Sequence, residues 1–311
     1  MSQPPAQSEY SAQPQHTAQT SRLKAVLAIS SLVARGAVGL RAGGFAIERL
    51  GVPLLQVPTV TLPWHPGHAQ RFGAPARSVP DDSLFSGSLQ AIASAPFADD
   101  LGVVLTGYFV SANQVRATCE AIDQLREGSP ELQVIVDPVS ADQGGSYVAR
   151  ETIDAIAQDL VPRATLLTPN RFEAALLLGV DVPKDNAELV QLAAALPAPK
   201  VTITSAFGMM RDSTGVLLVE EGSASLFEHQ AVQAAPNGTG DLFSALMAAY
   251  AMRGAPLAKA VERATASVFE LVARSTKHGH DELMFAQEQD CLVRPVAMVH
   301  KRQLVRPKTK A

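Results

Sequence analysis

The feature that most restricts how this chain can fold is a rhythm of short apolar runs, each closed by a polar residue and separated from the next by text with helical spacing. KAVLAISSLV begins at Lys24, PLLQVPTV at Pro53 and GVVLTGY at Gly102; LQVIVDP carries Asp137, ATLLTPN ends at Asn170, and KVTITS ends at Ser205. An apolar run without polar alternation belongs to a strand covered on both faces, and strands that take turns with helices pair in parallel. The expected fold is therefore α/β: a single-domain, three-layer sandwich with a mostly parallel central sheet flanked by helices. Two later runs, GVLLVE and SLFEHQAV, read as an antiparallel pair, and PNGTGDLFSALMAAYAMRG and PLAKAVERATASVFELVARST as two long helices.

Local signals fill in the connections. The first strand leads through Gly36, Gly39 and the Gly43-Gly44 pair into an amphipathic helix ending at Gly51. Residues 61–80 hold four prolines and two glycines beside Trp64, His65 and His68, a long loop of the kind that serves as a lid or binding loop. One helix is expected to open at Asp81 or Asp82. Another opens at a Ser111 cap, with Val115, Cys119, Ile122 and Leu125 on one face.

Composition sets outer bounds. With 311 residues and 47% hydrophobic content, the chain has enough apolar material for such a domain. Residues 1–22 lack Leu, Ile, Val and Phe and are expected to be a disordered leader; residues 299–311 read as a basic tail, leaving 23–298 as the folded domain. A net charge of −4 offers no general grip on nucleic acid, and neither a run of about 18 apolar residues nor a signal-peptide pattern is present, so neither nucleic acid nor membrane is an expected partner. Cys119 and Cys291 are too few for a disulfide framework and fit a reducing, cytoplasmic setting.

In an open parallel sheet, ligands collect beyond the carboxyl ends of the strands. Those ends carry Ser30 and Ser31, Thr106 to Tyr108, Asp137, Thr168 to Asn170, and Thr204 with Ser205, a set suited to a phosphate-bearing ligand and its metal. The sharpest local signal is Gly238-Thr239-Gly240-Asp241 at the start of the strongest helix. Glycines let backbone N–H groups approach an anion, and the first helical turn adds unpaired donors and a positive dipole end. Asp241 also reads as a simple cap of that helix. Asn237-Gly238-Thr239 matches a hairpin turn and a glycosylation sequon; the helical text that follows opposes the first, and the missing secretory signal the second. There is no Gly-Lys pair for a Walker A loop, no G-x-G-x-x-G and no G-x-S-x-G. His65 with His68, and His278 with His280, lack further ligands at zinc spacing.

Taken together and in this order, Thr106-Gly107-Tyr108, Val136-Asp137-Pro138-Val139, Leu167 to Ala174 (LTPNRFEA), Ile203-Thr204-Ser205 and Gly238 to Phe243 (GTGDLF) resemble the ribokinase-like small-molecule kinases, and within them the pyridoxal kinases, over residues 24–290. The resemblance implies a ribokinase-like sandwich that transfers the γ-phosphoryl group of ATP to the 5′-hydroxymethyl group of pyridoxal in vitamin B6 salvage, with Mg²⁺ and room for a monovalent cation such as K⁺. It makes Asp241 the catalytic base, in contact with the acceptor, and the amides of Gly238, Thr239 and Gly240 the hole for the moving phosphoryl group. Asn170 and Glu173 become the N-x-x-E pair that organises Mg²⁺ together with Asp137. Thr168, Thr204, Ser205 and Thr239 line the ATP side, and Tyr147 sits on a loop closing near the phosphates. Ser31, Val60, His65 and Tyr108 face the pyridine. A homodimer is implied as well.

The pyridine side departs from the family pattern. Where the family carries Gln-Ser-His, this chain has Ser30-Ser31-Leu32; an expected Asn is Leu40; and a Val-Gln-Phe-Ser-Asn-His-Thr pattern becomes Val60-Thr61-Leu62-Pro63-Trp64-His65-Pro66. Trp64 either stacks on the substrate or covers core. These departures bear on substrate identity more than on reaction type. They leave a kinase of another hydroxymethyl heterocycle, such as hydroxymethylpyrimidine, as the alternative, although many of those enzymes carry Cys at the position of Asp241. A catalytically inactive nucleotide- or B6-binding regulatory protein is the alternative of another class. Asn170 and Glu173 also read as the two halves of a helix capping box.

Overall fold

Each of the apolar runs becomes a strand in the computed structural model, which describes residues 23–304. In chain order the elements are β1 (Ala25–Arg35), α1 (Gly39–Arg49), β2 (Leu54–Trp64), α2 (Ala69–Phe72), α3 (Asp82–Ala93), β3 (Leu101–Thr106), α4 (Ala112–Gly128), β4 (Gln133–Val136), a small hairpin of β5 (Ala141–Asp142) and β6 (Gly145–Ser146), α5 (Arg150–Ala155), β7 (Leu166–Leu167), α6 (Arg171–Leu178), α7 (Asn186–Ala195), β8 (Val201–Phe207), β9 (Ser213–Glu220), β10 (Ser223–Gln230), α8 (Thr239–Met252), α9 (Leu257–Lys277), α10 (Asp290–Val293) and β11 (His300–Leu304). The central sheet runs β11-β10-β9-β8-β7-β4-β3-β1-β2. From β8 to β2 every pairing is parallel, and β9, β10 and β11 add an antiparallel wing.

The strands are apolar throughout because both faces are covered. Along β1, Leu27 and Ile29 enter the core under α3, α4 and α7, while Val26 and Ala28 enter the core under α1, α8 and α9. Burying each Leu or Ile contributes about 1.5–3 kcal/mol, so a polar substitution on either face of β1 would weaken the sandwich. The expected caps are present: Ser111 accepts from the Gln114 N–H at 3.3 Å, and Asp81 from the Leu84 N–H at 2.8 Å. Val115, Cys119, Ile122 and Leu125 all lie buried along α4. Among the described residues no helix is long and apolar enough to cross a membrane.

Two boundaries differ from the sequence reading. The loop expected from residue 61 starts later, because β2 continues to Trp64 and Thr61 pairs with Ser78 through two backbone hydrogen bonds of 2.8 and 2.9 Å. The basic run expected as a tail from residue 299 enters the sheet: His300–Leu304 forms β11 against the open edge of β10. Backbone pairing and the bond of Arg302 to the buried Glu228 stabilise this strand, and neither shows in apolar periodicity. The leader at 1–22, and Arg306, Lys308 and Lys310, lie outside the described residues.

Candidate active site

Ile29, Thr106, Val136 and Leu167 pair with one another across β1, β3, β4 and β7, so the residues that follow them, Ser30, Gly107, Asp137 and Thr168, stand along one edge of the sheet. The first turn of α8 faces that edge. Gly238 precedes it with φ +91°, and a Cβ there would sit 1.8 Å from the carbonyl oxygen of Ala37, so only glycine fits. This close approach seats the Gly238-Thr239-Gly240 amides beside the turn between β1 and α1, where the backbone of Gly39 partly offsets the rise that burial imposes on the carboxyl of Asp241. A small pocket lies between these elements, lined by Ser30, Gly39, Thr106, Asp137, Asp241 and Ser244 among others. The hydroxyl of Thr106 is buried there without a partner.

Asp137 and Asp241 line this pocket, and the charge of Glu173, on α6, acts on Asp137 as that of Asp241 acts on Glu173. Burial first, then the charges of Glu173 and Asp241, hold the carboxyl of Asp137 well above the usual range, partly offset by the Ser244 hydroxyl that donates to it at 2.9 Å. Burial likewise pushes Glu173 up to about 8, against the amides of Asn170, Ser140 and Ala141 that donate to it. Asp241 is raised by burial too. Among the described residues none of the three has a Lys, Arg or His partner. A cluster of acids with raised pKa values and no internal counter-charge is costly alone and suits a bound cation.

The other expected nucleotide-side residues assemble around this cluster. Asn170 caps α6: its Oδ1 accepts from the N–H groups of Phe172 and Glu173 at 2.8 and 2.9 Å, and Glu173 accepts in return from the Asn170 N–H at 2.8 Å. The capping-box reading is thus realised, and Glu173 also holds the Ser140 N–H at 3.1 Å. Thr168 shares a 2.8 Å hydrogen bond with Ser244, which links it to Asp137. Thr204 pairs with Asn170 across the sheet end. Ser205 follows in the left-handed region at φ +60°, a conformation that costs a non-glycine residue about 1–3 kcal/mol and that clusters at functional sites. Tyr147, on β6–α5, is 52% exposed. Its phenol is raised first by burial and then by the charges of Glu173, Asp137 and Asp241.

On the side expected to face the pyridine, Ser31 falls where the β1–β2 register shifts, with its backbone and hydroxyl oxygens packed on Gly39. Val60 and Tyr108 join Val33, Val38 and Leu62 in a small apolar cluster, and Tyr108 is held by Ser30 at its N–H (3.1 Å) and by Thr59 at its C=O (2.8 Å). His65 lies beside Gly36, and burial first, then neighbouring His68, lowers its pKa. Trp64 packs edge-on against Phe72 at 5.9 Å and donates to the Gly73 carbonyl at 3.1 Å, so it organises its own segment.

Sequence reasoning passed over Ser244 and the Ala37 carbonyl, and read Gly39 only as part of the turn after β1. Ser244 had a signal: it is the lone polar residue in the apolar stretch from Leu242 to Tyr250, three positions after Asp241 and so on the same helix face. The contacts of Gly39 and Ala37 had none, since they arise from the meeting of two distant turns.

Comparison with known proteins agrees with this geometry. Residues 86–285 match the model of the phosphomethylpyrimidine kinase family. The pyridoxine/pyridoxal/pyridoxamine kinase of Bordetella avium is 34% identical over 253 residues, spanning 80% of this chain and 84% of that protein. The pyridoxal kinase of Leifsonia xyli is 28% identical over 275 residues, spanning 87% and 96%. The solved structure of the pyridoxal kinase of Leishmania donovani in complex with ADP and pyridoxamine superposes with a TM-score of 0.81 at 27% identity, over 91% of this chain and 100% of that one. Matched by the family model over more than half its length, and by a B6-vitamer kinase over four fifths of it, the chain belongs to the phosphomethylpyrimidine kinase family and has the ribokinase-like fold of the pyridoxal kinases.

Proposed function

We propose that the protein is an ATP-dependent kinase that phosphorylates the 5′-hydroxymethyl group of pyridoxal, and of pyridoxine and pyridoxamine, in vitamin B6 salvage. The observation that carries this reading is the carboxyl group of Asp241, which lines the pocket at the strand ends together with Gly39 and stands beside the amides of Gly238 to Gly240. Phosphoryl transfer asks for alignment, cations and donors where charge gathers, and little covalent help. Asp241 accepts the proton of the acceptor alcohol, and its burial strengthens it as a base. The amides of Gly238, Thr239 and Gly240, at the opening of α8, donate to the moving phosphoryl group. Thr168, Thr204, Ser205 and Tyr147 border the nucleotide side, and Ser31, Val60, His65 and Tyr108 the acceptor side.

Asp137 and Glu173 are the residues that would hold Mg²⁺, with Asn170 fixing Glu173 through the capping box. When bound, the ion neutralises phosphate charge and orients the terminal group. Among the described residues no three acidic, His or Cys side chains converge on one point, which fits an ion that keeps waters and phosphate oxygens among its ligands. A monovalent cation such as K⁺ would relieve the same excess of negative charge. The cytoplasmic setting rests on two cysteines that are both buried and free, and the homodimer on the resemblance to pyridoxal kinases; light scattering on the purified chain tests the latter.

The test is ATP consumption with pyridoxal, pyridoxine, pyridoxamine and hydroxymethylpyrimidine as acceptors at saturating Mg²⁺. Turnover with a B6 vitamer is the expected result. Turnover with the pyrimidine alone would replace the acceptor and favour the second reading, which the matched family model supports. Nucleotide-dependent melting shifts without any transfer would replace the kinase by a binding protein.

A further inference from the structure

A second set of charges, unused by the reaction, gathers where the segment after β2 meets the turn after α9. Glu282 Oε1 lies 3.2 Å from His68 Nε2 and 3.8 Å from Arg35 Nε. Asp281 Oδ2 lies 3.1 Å from Arg71 Nη1 and 3.9 Å from His68 Nδ1. The Glu282 oxygen is closed off from solvent without a directed hydrogen bond, a costly state for a carboxylate unless nearby positive charge compensates it. Arg35 ends β1, whereas His68 and Arg71 belong to the 65–73 segment, so the two acids tie three parts of the chain together.

Those parts adjoin the turn after β1 and the residue that precedes the amide nest. A Cβ built on Gly36 would sit 3.8 Å from His65 Cβ and 3.9 Å from Glu282 Oε1, and one built on Gly67 would sit 3.2 Å from Asn237 Nδ2, the residue just before the amide nest. The 65–73 segment is internally one packed unit. The guanidinium groups of Arg35 and Arg71 lie over the Phe72 ring at 5.3 and 5.0 Å, and Trp64 packs edge-on against it. What fastens this unit to the body on the α9 side is ionic.

We propose that Asp281 and Glu282 clamp the 65–73 segment over the acceptor side of the pocket, so that Glu282 is a positioning residue for substrate recognition. The proposal rests on the kinase reading, and the clamp itself is measurable without turnover. Trp64 is the single tryptophan of the chain, and its fluorescence reports how closely the segment is held.

In the full-length protein, Glu282→Gln is expected to raise acrylamide quenching of Trp64 about twofold and the KM for pyridoxal about five- to tenfold, with the KM for ATP little changed. Arg71→Glu, at a side chain 64% exposed and therefore safe for folding, should loosen Trp64 in the same way. Adding Asp281→Arg to it should restore both quenching and KM, a rescue that a merely structural role would not produce. Unchanged quenching in both single variants overturns the clamp. Raised quenching with an unchanged pyridoxal KM overturns the positioning role. If the parent chain phosphorylates no B6 vitamer, the kinase reading falls while the quenching comparison still decides the clamp.

Discussion

The protein uses acidic side chains in two opposite ways. At the strand ends Asp137, Glu173 and Asp241 are gathered without a cationic partner, and burial drives each carboxyl upward. In the turn after α9 Asp281 and Glu282 face Arg35, His68 and Arg71, and remain partly exposed. The first group is electrostatically unfinished and is completed only by a ligand; the second is complete within the chain and holds a segment in place. Charge balance, more than residue type, separates the groups that react from the groups that position.

The sharpest way to break this contrast is Asp241→Asn. Removal of the base is expected to lower kcat about 10²- to 10⁴-fold, with melting temperature and ATP binding retained; near-normal turnover would remove Asp241 from the chemistry. Next in size is Gly238→Ala, which forces a left-handed alanine against the Ala37 carbonyl. Strain of about 1–3 kcal/mol lowers the melting temperature by roughly 2–6 °C and weakens nucleotide binding; an unaltered calorimetric titration with ATP would show that the nest does not need this contact.

Glu228 sharpens the comparison, being buried like the first group and paired like the second. Burial alone would raise its carboxyl, but Arg302 and the N–H groups of Met209 and Met210 outweigh it and hold it below the ordinary value. A depressed carboxylate contributes stability that is present above the unfolded value of 4.5 and lost as pH falls through the folded value. Arg302→Gln should therefore melt about 2–4 °C below the parent at neutral pH, and the gap should close as pH is lowered below the ordinary carboxylate range. A gap independent of pH would mean that β11 is held by its backbone alone. The smallest effect is expected from Asp281→Asn, a half-exposed pair: a melting shift of about 1–2 °C or less and no change in Mg²⁺ dependence, whereas Glu173→Gln should raise the Mg²⁺ needed for half-maximal rate. Equal Mg²⁺ responses in the two variants would erase the distinction between the regions.

Much of this was legible in the residues. Continuous apolar runs marked β1 to β4, β7 and β8, because burial on both faces writes itself into every position of a strand. The Ser111 and Asp81 caps, the capping box at Asn170 and Glu173, and the glycine turn before α8 were readable for the same reason: each is settled within one turn of chain. β11 was not, since a polar strand at a sheet edge is stabilised by backbone bonds and by one buried ion pair contributed from β10. Neither was the clamp, whose acids and cations lie more than two hundred positions apart in the sequence.

What the amino-acid order settled alone was the parallel sandwich, its polar strand ends and the anion-seeking turn at 238–241, for these depend on local burial and backbone freedom. Which acids would stand without a counter-charge, and which would be neutralised, was decided only when distant turns met: Gly39 with Asp241, Ser244 with Asp137, Arg35 and His68 with Glu282. Coulomb energy depends on distance in space and on exclusion of water, and a linear sequence specifies neither.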